Sequence, residues 1–92
     1  MKYAFTPELE KELKHLQDHQ PKLLPRIKKQ LRIFALNPLH PSLRTHKLKG
    51  RLADYWSISV AKDIRLLYYI TEIKEEKVAV FFALGTHDQV YR

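Results

Sequence analysis

Apolar positions along this chain first recur at helical spacing and then, past the midpoint, at every second residue. Met1–Phe5 alternates weakly, with Tyr3 and Phe5 sharing a side, and predicts a short first strand. Thr6-Pro7-Glu8 reads as a helix start: a hydroxyl N-cap, a proline at the first helical position, and an acid facing the positive end of the dipole. Leu9, Leu13 and Leu16 predict a helix over Pro7–His19, which Gln20-Pro21 stops. A second helix is expected from Lys22 to Leu36. Leu23, Leu24, Ile27, Leu31, Phe34 and Ala35 gather on one side of its wheel, and Ile33 and Leu36 fall among the polar positions.

Asn37–Thr45 holds Pro38 and Pro41 and suits neither helix nor central strand. A short basic segment, His46-Lys47-Leu48-Lys49, ends at Gly50. The period then becomes two. Trp56, Ile58 and Val60 alternate with Ser57 and Ser59, predicting a strand with one wet face. Lys62-Asp63 reads as a tight turn, Ile64–Ile70 as a strand, Glu72–Lys77 as a charged hairpin loop, and Val78–Leu84 as a doubly covered strand closed by Gly85. The resulting order is β-α-α-β-β-β, an α+β fold. Its two N-terminal helices are expected on one face of an antiparallel sheet, leaving Ser57, Ser59 and Arg65 on the other.

Ninety-two residues allow a single domain, expected over 1–92. The chain has no cysteine, which excludes a disulfide scaffold, a thiolate metal site and a cysteine nucleophile. No apolar run approaches the ~20 residues of a membrane span, so a cytoplasmic protein without a membrane partner is expected. The net charge of +7 is unevenly placed. Residues 26–51 carry eight basic side chains and no acid, whereas the stretches on either side are close to neutral. A local basic block of this kind points to a polyanion.

Two of the five histidines sit where chemistry is easily done. His46 precedes Lys47, Lys49 and Arg51, and His87 follows Gly85-Thr86 at the exit of the last strand. Imidazoles on a rigid scaffold exchange protons near neutrality. RNA supplies its own nucleophile, the 2′-OH, so cleavage needs a base, an acid and a cation at phosphorus, and no metal or cofactor. His15 and His19 are one helical turn apart but lack the further ligand a zinc site wants, so they are read as a solvated helix end. Tyr55, Tyr69, Phe81 and Tyr91 are candidate stacking platforms for bases, while alternation assigns Trp56, Tyr68 and Phe82 to the core.

Four segments in order carry a resemblance: His46-Lys47-Leu48-Lys49-Gly50, Tyr55-Trp56-Ser57-Ile58-Ser59-Val60, Asp63-Ile64-Arg65-Leu66-Leu67-Tyr68 and Gly85-Thr86-His87-Asp88-Gln89-Val90-Tyr91. Together they resemble the RelE/ParE superfamily of bacterial toxins, in its YafQ-like branch. The resemblance implies the toxin of a type II toxin–antitoxin system. Such a toxin is a ribosome-dependent, metal-independent endoribonuclease that cuts mRNA in the ribosomal A site, and a small antitoxin protein neutralises it. By position, His46 and His87 match the family's active-site histidines, Asp63 its acidic residue, Arg65 its phosphate-binding arginine and Tyr91 its C-terminal aromatic. Arg26, Lys29, Arg44, Lys47, Lys49 and Arg51 are expected to hold ribosomal or messenger RNA. One departure stands out, for the branch often carries a further histidine where this chain has Ser59. Two rival readings follow from the same features. A gyrase inhibitor of the ParE branch shares the fold and does not depend on a C-terminal histidine. A non-catalytic ribosome or RNA binder would use the basic block alone.

Overall fold

The structure is a computed structural model, and it describes residues 1–86. Strand β1 (Lys2–Phe5) leads into helix α1 (Pro7–His19) and helix α2 (Leu23–Leu36). A short strand β2 (His46–Lys47) follows, then β3 (Trp56–Ala61), β4 (Ile64–Ile73) and β5 (Glu76–Thr86). Single 3-10 turns at Pro41–Leu43 and Gly50–Leu52 flank β2. The five strands form one sheet in the order β1-β5-β4-β3-β2.

The expected order of elements is present, with two additions. His46-Lys47 adds an edge strand, and β1 joins β5 in parallel, so the sheet is mixed rather than wholly antiparallel. Hydrophobic period carries no information on strand direction, and no short turn joins β1 to β5 to impose one. Thr6 acts as foreseen: the Leu9 N–H donates to its Oγ1 at 3.3 Å, and Pro7 opens the helix. The last strand also runs further than expected, through Gly85 to Thr86.

Both helices lie on one face of the sheet. Leu9 and Leu16 of α1, and Ile27, Leu31 and Phe34 of α2, are buried against Ile58, Leu66, Tyr68, Ala79 and Phe81. The Phe34 ring is fully buried, with centroids 5.1 Å from Tyr68 and 5.2 Å from Phe81, both edge-on. Tyr68 and Phe81 are themselves 5.0 Å apart. Ile33 packs against this core, whereas Leu36 is 90% exposed.

A bulge decides the phase of β5. Leu67 pairs with Ala83 but Tyr68 pairs with Phe81, so Phe82 is the extra residue. Phe81 faces the helices and Phe82 the opposite side, the reverse of the expectation from alternation. An unbroken apolar run cannot report its own phase. The β4–β5 connection is also tighter than the charged loop suggested. Glu72 and Lys77 belong to the ladder, and Lys74 and Glu75 turn with φ of 51° and 66°.

Burial pushes the Tyr68 phenol up to about 12 from its ordinary value near 10. The folded chain therefore holds this proton after the unfolded chain has released it. The stability the neutral phenol allows is complete below pH 10 and is lost as pH rises towards 12. Urea unfolding of wild type and Tyr68→Phe should diverge over that window. The wild type should lose stability more steeply with pH, by at most ~1.4 kcal/mol per unit.

Candidate active site

The candidate residues His46 and Arg65 lie on the sheet face that the helices leave open. Register places residues there in two adjacent rows. His46 pairs with Ser57, Ser57 with Leu67 and Leu67 with Ala83; one row along, Ser59 pairs with Arg65 and Arg65 with Gly85. His46 at the sheet edge and Arg65 near its middle thus share a face and neighbouring rows. His46 is exposed and Arg65 half-buried.

Arg65 is held in place. Its guanidinium Nη1 donates to the Ser57 hydroxyl and to the Arg44 carbonyl, each at 3.3 Å. Ser57 is completely buried, contrary to the wet face expected of it. The segment following β2 folds back over this side of the sheet, where Leu48 and Leu67 are buried among Leu52, Tyr55, Phe82 and Ala83. Alternation between serine and large apolar residues does not distinguish water from a second, smaller core. Tyr55, Tyr69 and Phe82 also cluster here, with Tyr55 and Phe82 centroids 4.7 Å apart and Tyr69 and Phe82 5.8 Å apart. Two of the expected stacking rings, Tyr55 and Tyr69, are on this face, whereas Phe81 is fully buried in the main core.

The loop that presents Arg44 and His46 is tied down from the helical layer. Gln30 of α2 donates through Nε2 to the carbonyls of Ser59 at 2.9 Å and Ser42 at 3.1 Å. Leu43 is fully buried, and the Thr45 hydroxyl donates to the Pro38 carbonyl at 2.6 Å. Arg44 adopts a left-handed conformation, φ 47°, and its carbonyl accepts from Arg65. Gln30 and Ser57 were not singled out from sequence. Each is an ordinary polar residue whose role exists only once three segments meet.

The expected site residues divide. His46 and Arg65 share a face in neighbouring rows, and Arg65 holds the Arg44 carbonyl. Asp63 occupies the β3–β4 turn, exposed, with φ 63°. Aspartate tolerates that conformation better than most residues, which is a structural reason for its presence. Its carboxylate makes no ion pair among the described residues. Ser59 donates its hydroxyl to the Ala61 carbonyl beside the irregularity in β3. His87 and Tyr91 lie outside the described residues.

The basic block is also divided. Lys47 pairs with Trp56 on the opposite face from His46, its ammonium 5.9 Å from the Trp56 ring centroid. Lys49 and Arg51 are exposed on the segment that covers the site's face. Arg26 and Lys29 project from α2, on the other side of the sheet. Arg26 lines an open hollow at the helical hairpin with His19 and Lys22. The His15 and His19 rings stack 3.8 Å apart, and His19 Nδ1 hydrogen-bonds the His15 carbonyl. No three metal-ligating side chains gather among the described residues, and no helix there is long and apolar enough to cross a membrane.

A mixed sheet with two helices on one face has counterparts among solved structures. The family model for YafQ, a bacterial toxin of type II toxin–antitoxin systems, matches residues 1–92. The chain belongs to that family. Its structure is similar to a YoeB/ParE toxin from Agrobacterium tumefaciens, with a TM-score of 0.75, 21% identity, and 95% of this chain and 99% of that one covered. YafQ from Escherichia coli strain BL21(DE3) superposes with a TM-score of 0.72 at 21% identity, over 99% and 98% of the two chains. A heterotetrameric YoeB–YefM toxin–antitoxin complex from Staphylococcus aureus gives 0.71 at 22% identity, over 95% and 97%. No curated protein sequence matches significantly.

The Gln30 clamp has a measurable consequence. Gln30→Ala leaves two carbonyls without their side-chain donor and should cost roughly 1–3 kcal/mol in urea unfolding. Amide exchange over residues 43–47 should accelerate in the variant, with α1 unaffected.

Proposed function

We propose that this toxin is a ribosome-dependent mRNA endoribonuclease acting through the face that carries His46 and Arg65. The observation that carries the reading is the anchored guanidinium. A half-buried arginine held by a serine hydroxyl and a backbone carbonyl, one row from an exposed histidine, is oriented before substrate arrives. Preorganised charge of this kind is the largest contribution a protein can make to a reaction that concentrates negative charge on phosphorus.

In this mechanism His46 accepts the proton of the ribose 2′-OH. O2′ then attacks the adjacent phosphorus, and Arg65 stabilises the charge on the phosphorane oxygens. The bond from phosphorus to the 5′-oxygen breaks, and His87 donates a proton to that leaving oxygen. The products are a 2′,3′-cyclic phosphate and a 5′-hydroxyl end. The proton count balances, and the two histidines finish in exchanged protonation states. Asp63 orients the catalytic histidines from the β3–β4 turn, and Tyr91 contacts the substrate. Arg44, Lys49 and Arg51 hold RNA phosphates around the site. Lys47, Arg26 and Lys29 contact RNA from the remaining surface, a geometry that suits a protein enclosed by ribosomal RNA.

The partner proposed for the free toxin is an antitoxin protein. The support is family membership and the fold shared with a toxin crystallised with its antitoxin YefM. The working compartment is the cytoplasm, where translating ribosomes are found.

Cleavage of a defined mRNA on stalled ribosomes tests the assignment. His46→Ala and His87→Ala should each lower the cutting rate by about 100-fold or more. Lys49→Ala with Arg51→Ala should instead weaken ribosome binding and flatten its dependence on salt. Undiminished cutting by both histidine variants would remove this chemistry.

A further inference from the structure

Helix α1 carries two histidines that the proposed cleavage does not use. His15 and His19 stand one turn apart at its C-terminal end, both exposed. Their ring centroids are 3.8 Å apart, with 12° between the planes. Nδ1 of His19 lies 3.0 Å from the His15 carbonyl oxygen. A carbonyl only accepts, so this nitrogen carries the proton. In the neutral ring the other nitrogen, Nε2, then holds a free electron pair. A backbone carbonyl on one ring nitrogen is the arrangement that prepares histidine to bind a metal, because it fixes the tautomer and makes the other nitrogen more basic.

Spacing alone reads the pair as a solvated helix end, for want of a third zinc ligand. It shows neither the tautomer nor the approach of the rings, and the structure supplies both. Two imidazole nitrogens on one ion stand about 3 Å apart, given bonds of about 2 Å. Rings at 3.8 Å therefore need only a small closure. Their planes must also open from 12° for both electron pairs to meet at one point. His19 is held by its carbonyl bond, and the exposed His15 ring supplies that rotation, which is soft about the bond to an imidazole. The surroundings then choose the ion. At about 100° per residue, the exposed Glu8 and Glu12 share this side of α1 and lend it negative charge. Lys22 and Arg26, which line a hollow with His19, oppose it. Structural zinc takes four protein ligands, whereas a tetragonal ion accepts two nitrogens completed by water. Copper(II) favours that geometry and stands highest in the affinity order.

We propose that His15 and His19 form a two-imidazole chelate for copper(II), with water completing the coordination. Glu12, one turn before His15, contributes charge rather than a bond. The ion ties successive turns at the C-terminal end of α1 and holds that end helical. The site belongs to the helical layer, on the opposite side of the sheet from His46 and Arg65, and does not enter the proposed cleavage.

The test titrates the untagged full chain with copper(II) chloride, followed by calorimetry and electron paramagnetic resonance. The tightest site of the wild type should hold one ion coupled to two imidazole nitrogens. His15→Ala and His19→Ala should each weaken it by about 10-fold or more and leave one nitrogen coupled. Gln17→His combined with His19→Ala keeps five histidines but sets the pair two residues apart, where side chains do not face each other. It should bind as weakly as His19→Ala alone. Copper should slow amide exchange over residues 16–20 in the wild type and in none of these variants. Both mutated side chains are exposed, and matching far-ultraviolet spectra without copper show that the variants remain folded. Unchanged affinity in both single variants overturns the proposal, as does full affinity in the respaced variant. So does loss of the tightest site in His46→Ala instead, which would place the ion on the opposite face of the sheet. Zinc chloride binding as tightly as copper overturns the choice of ion.

Discussion

The burial of Phe34 between Tyr68 and Phe81 fixes the two-layer arrangement. Its ring is completely enclosed and meets both partners edge-on at just over 5 Å. Truncating such a residue costs about 3–5 kcal/mol, a large part of what a domain of this size has in reserve. Because Phe34 belongs to α2 while Tyr68 and Phe81 belong to β4 and β5, the contact commits both helices to one face. The other face is then left to a short edge strand, a covering segment and Arg65. Everything proposed for catalysis depends on that division.

The two layers also communicate through a polar link. Gln30 reaches from α2 to the backbone at Ser42 and Ser59, on either side of the strand that presents His46. Arg65 then reaches back to Arg44 and Ser57. A helix packed for hydrophobic reasons thereby determines where a loop carbonyl stands, and the carbonyl determines where a guanidinium stands. The same helix turns Lys28 and Arg32 to the opposite surface. A basic block that is continuous in sequence becomes two surfaces with different neighbours, one around the candidate site and one on the outer side of α2.

Elements whose pattern is strongly periodic and well punctuated could be read directly from the chain. Thr6-Pro7, the leucines of α1 and the stripe of α2 each carry their own stop and start signals, and the helices fall where these place them. Strand direction, bulge position and burial of small polar residues could not be read this way. The parallel pairing of β1 depends on contacts some 75 residues apart, and the phase of Phe81 and Phe82 depends on one inserted residue. Ser57 resembles a solvent-facing serine in every local respect, yet it is fully buried on the face where Leu48 packs beside Leu67. The candidate residues His46 and Arg65 stand out in the sequence through their place in a collinear set of motifs. Their structural supports, Ser57 and Gln30, were not.

In the proposed reaction RNA supplies its own nucleophile, with His46 as the base and Arg65 as the anchored cation. A single 2′-deoxy substitution at the scissile position of an mRNA, presented in the A site of a stalled ribosome, tests this most directly. The all-ribose message should be cut to a 2′,3′-cyclic phosphate end while the substituted message stays whole at that position. Equal cutting of both messages would contradict it, because cleavage would then proceed without the 2′-OH that His46 is assigned to activate.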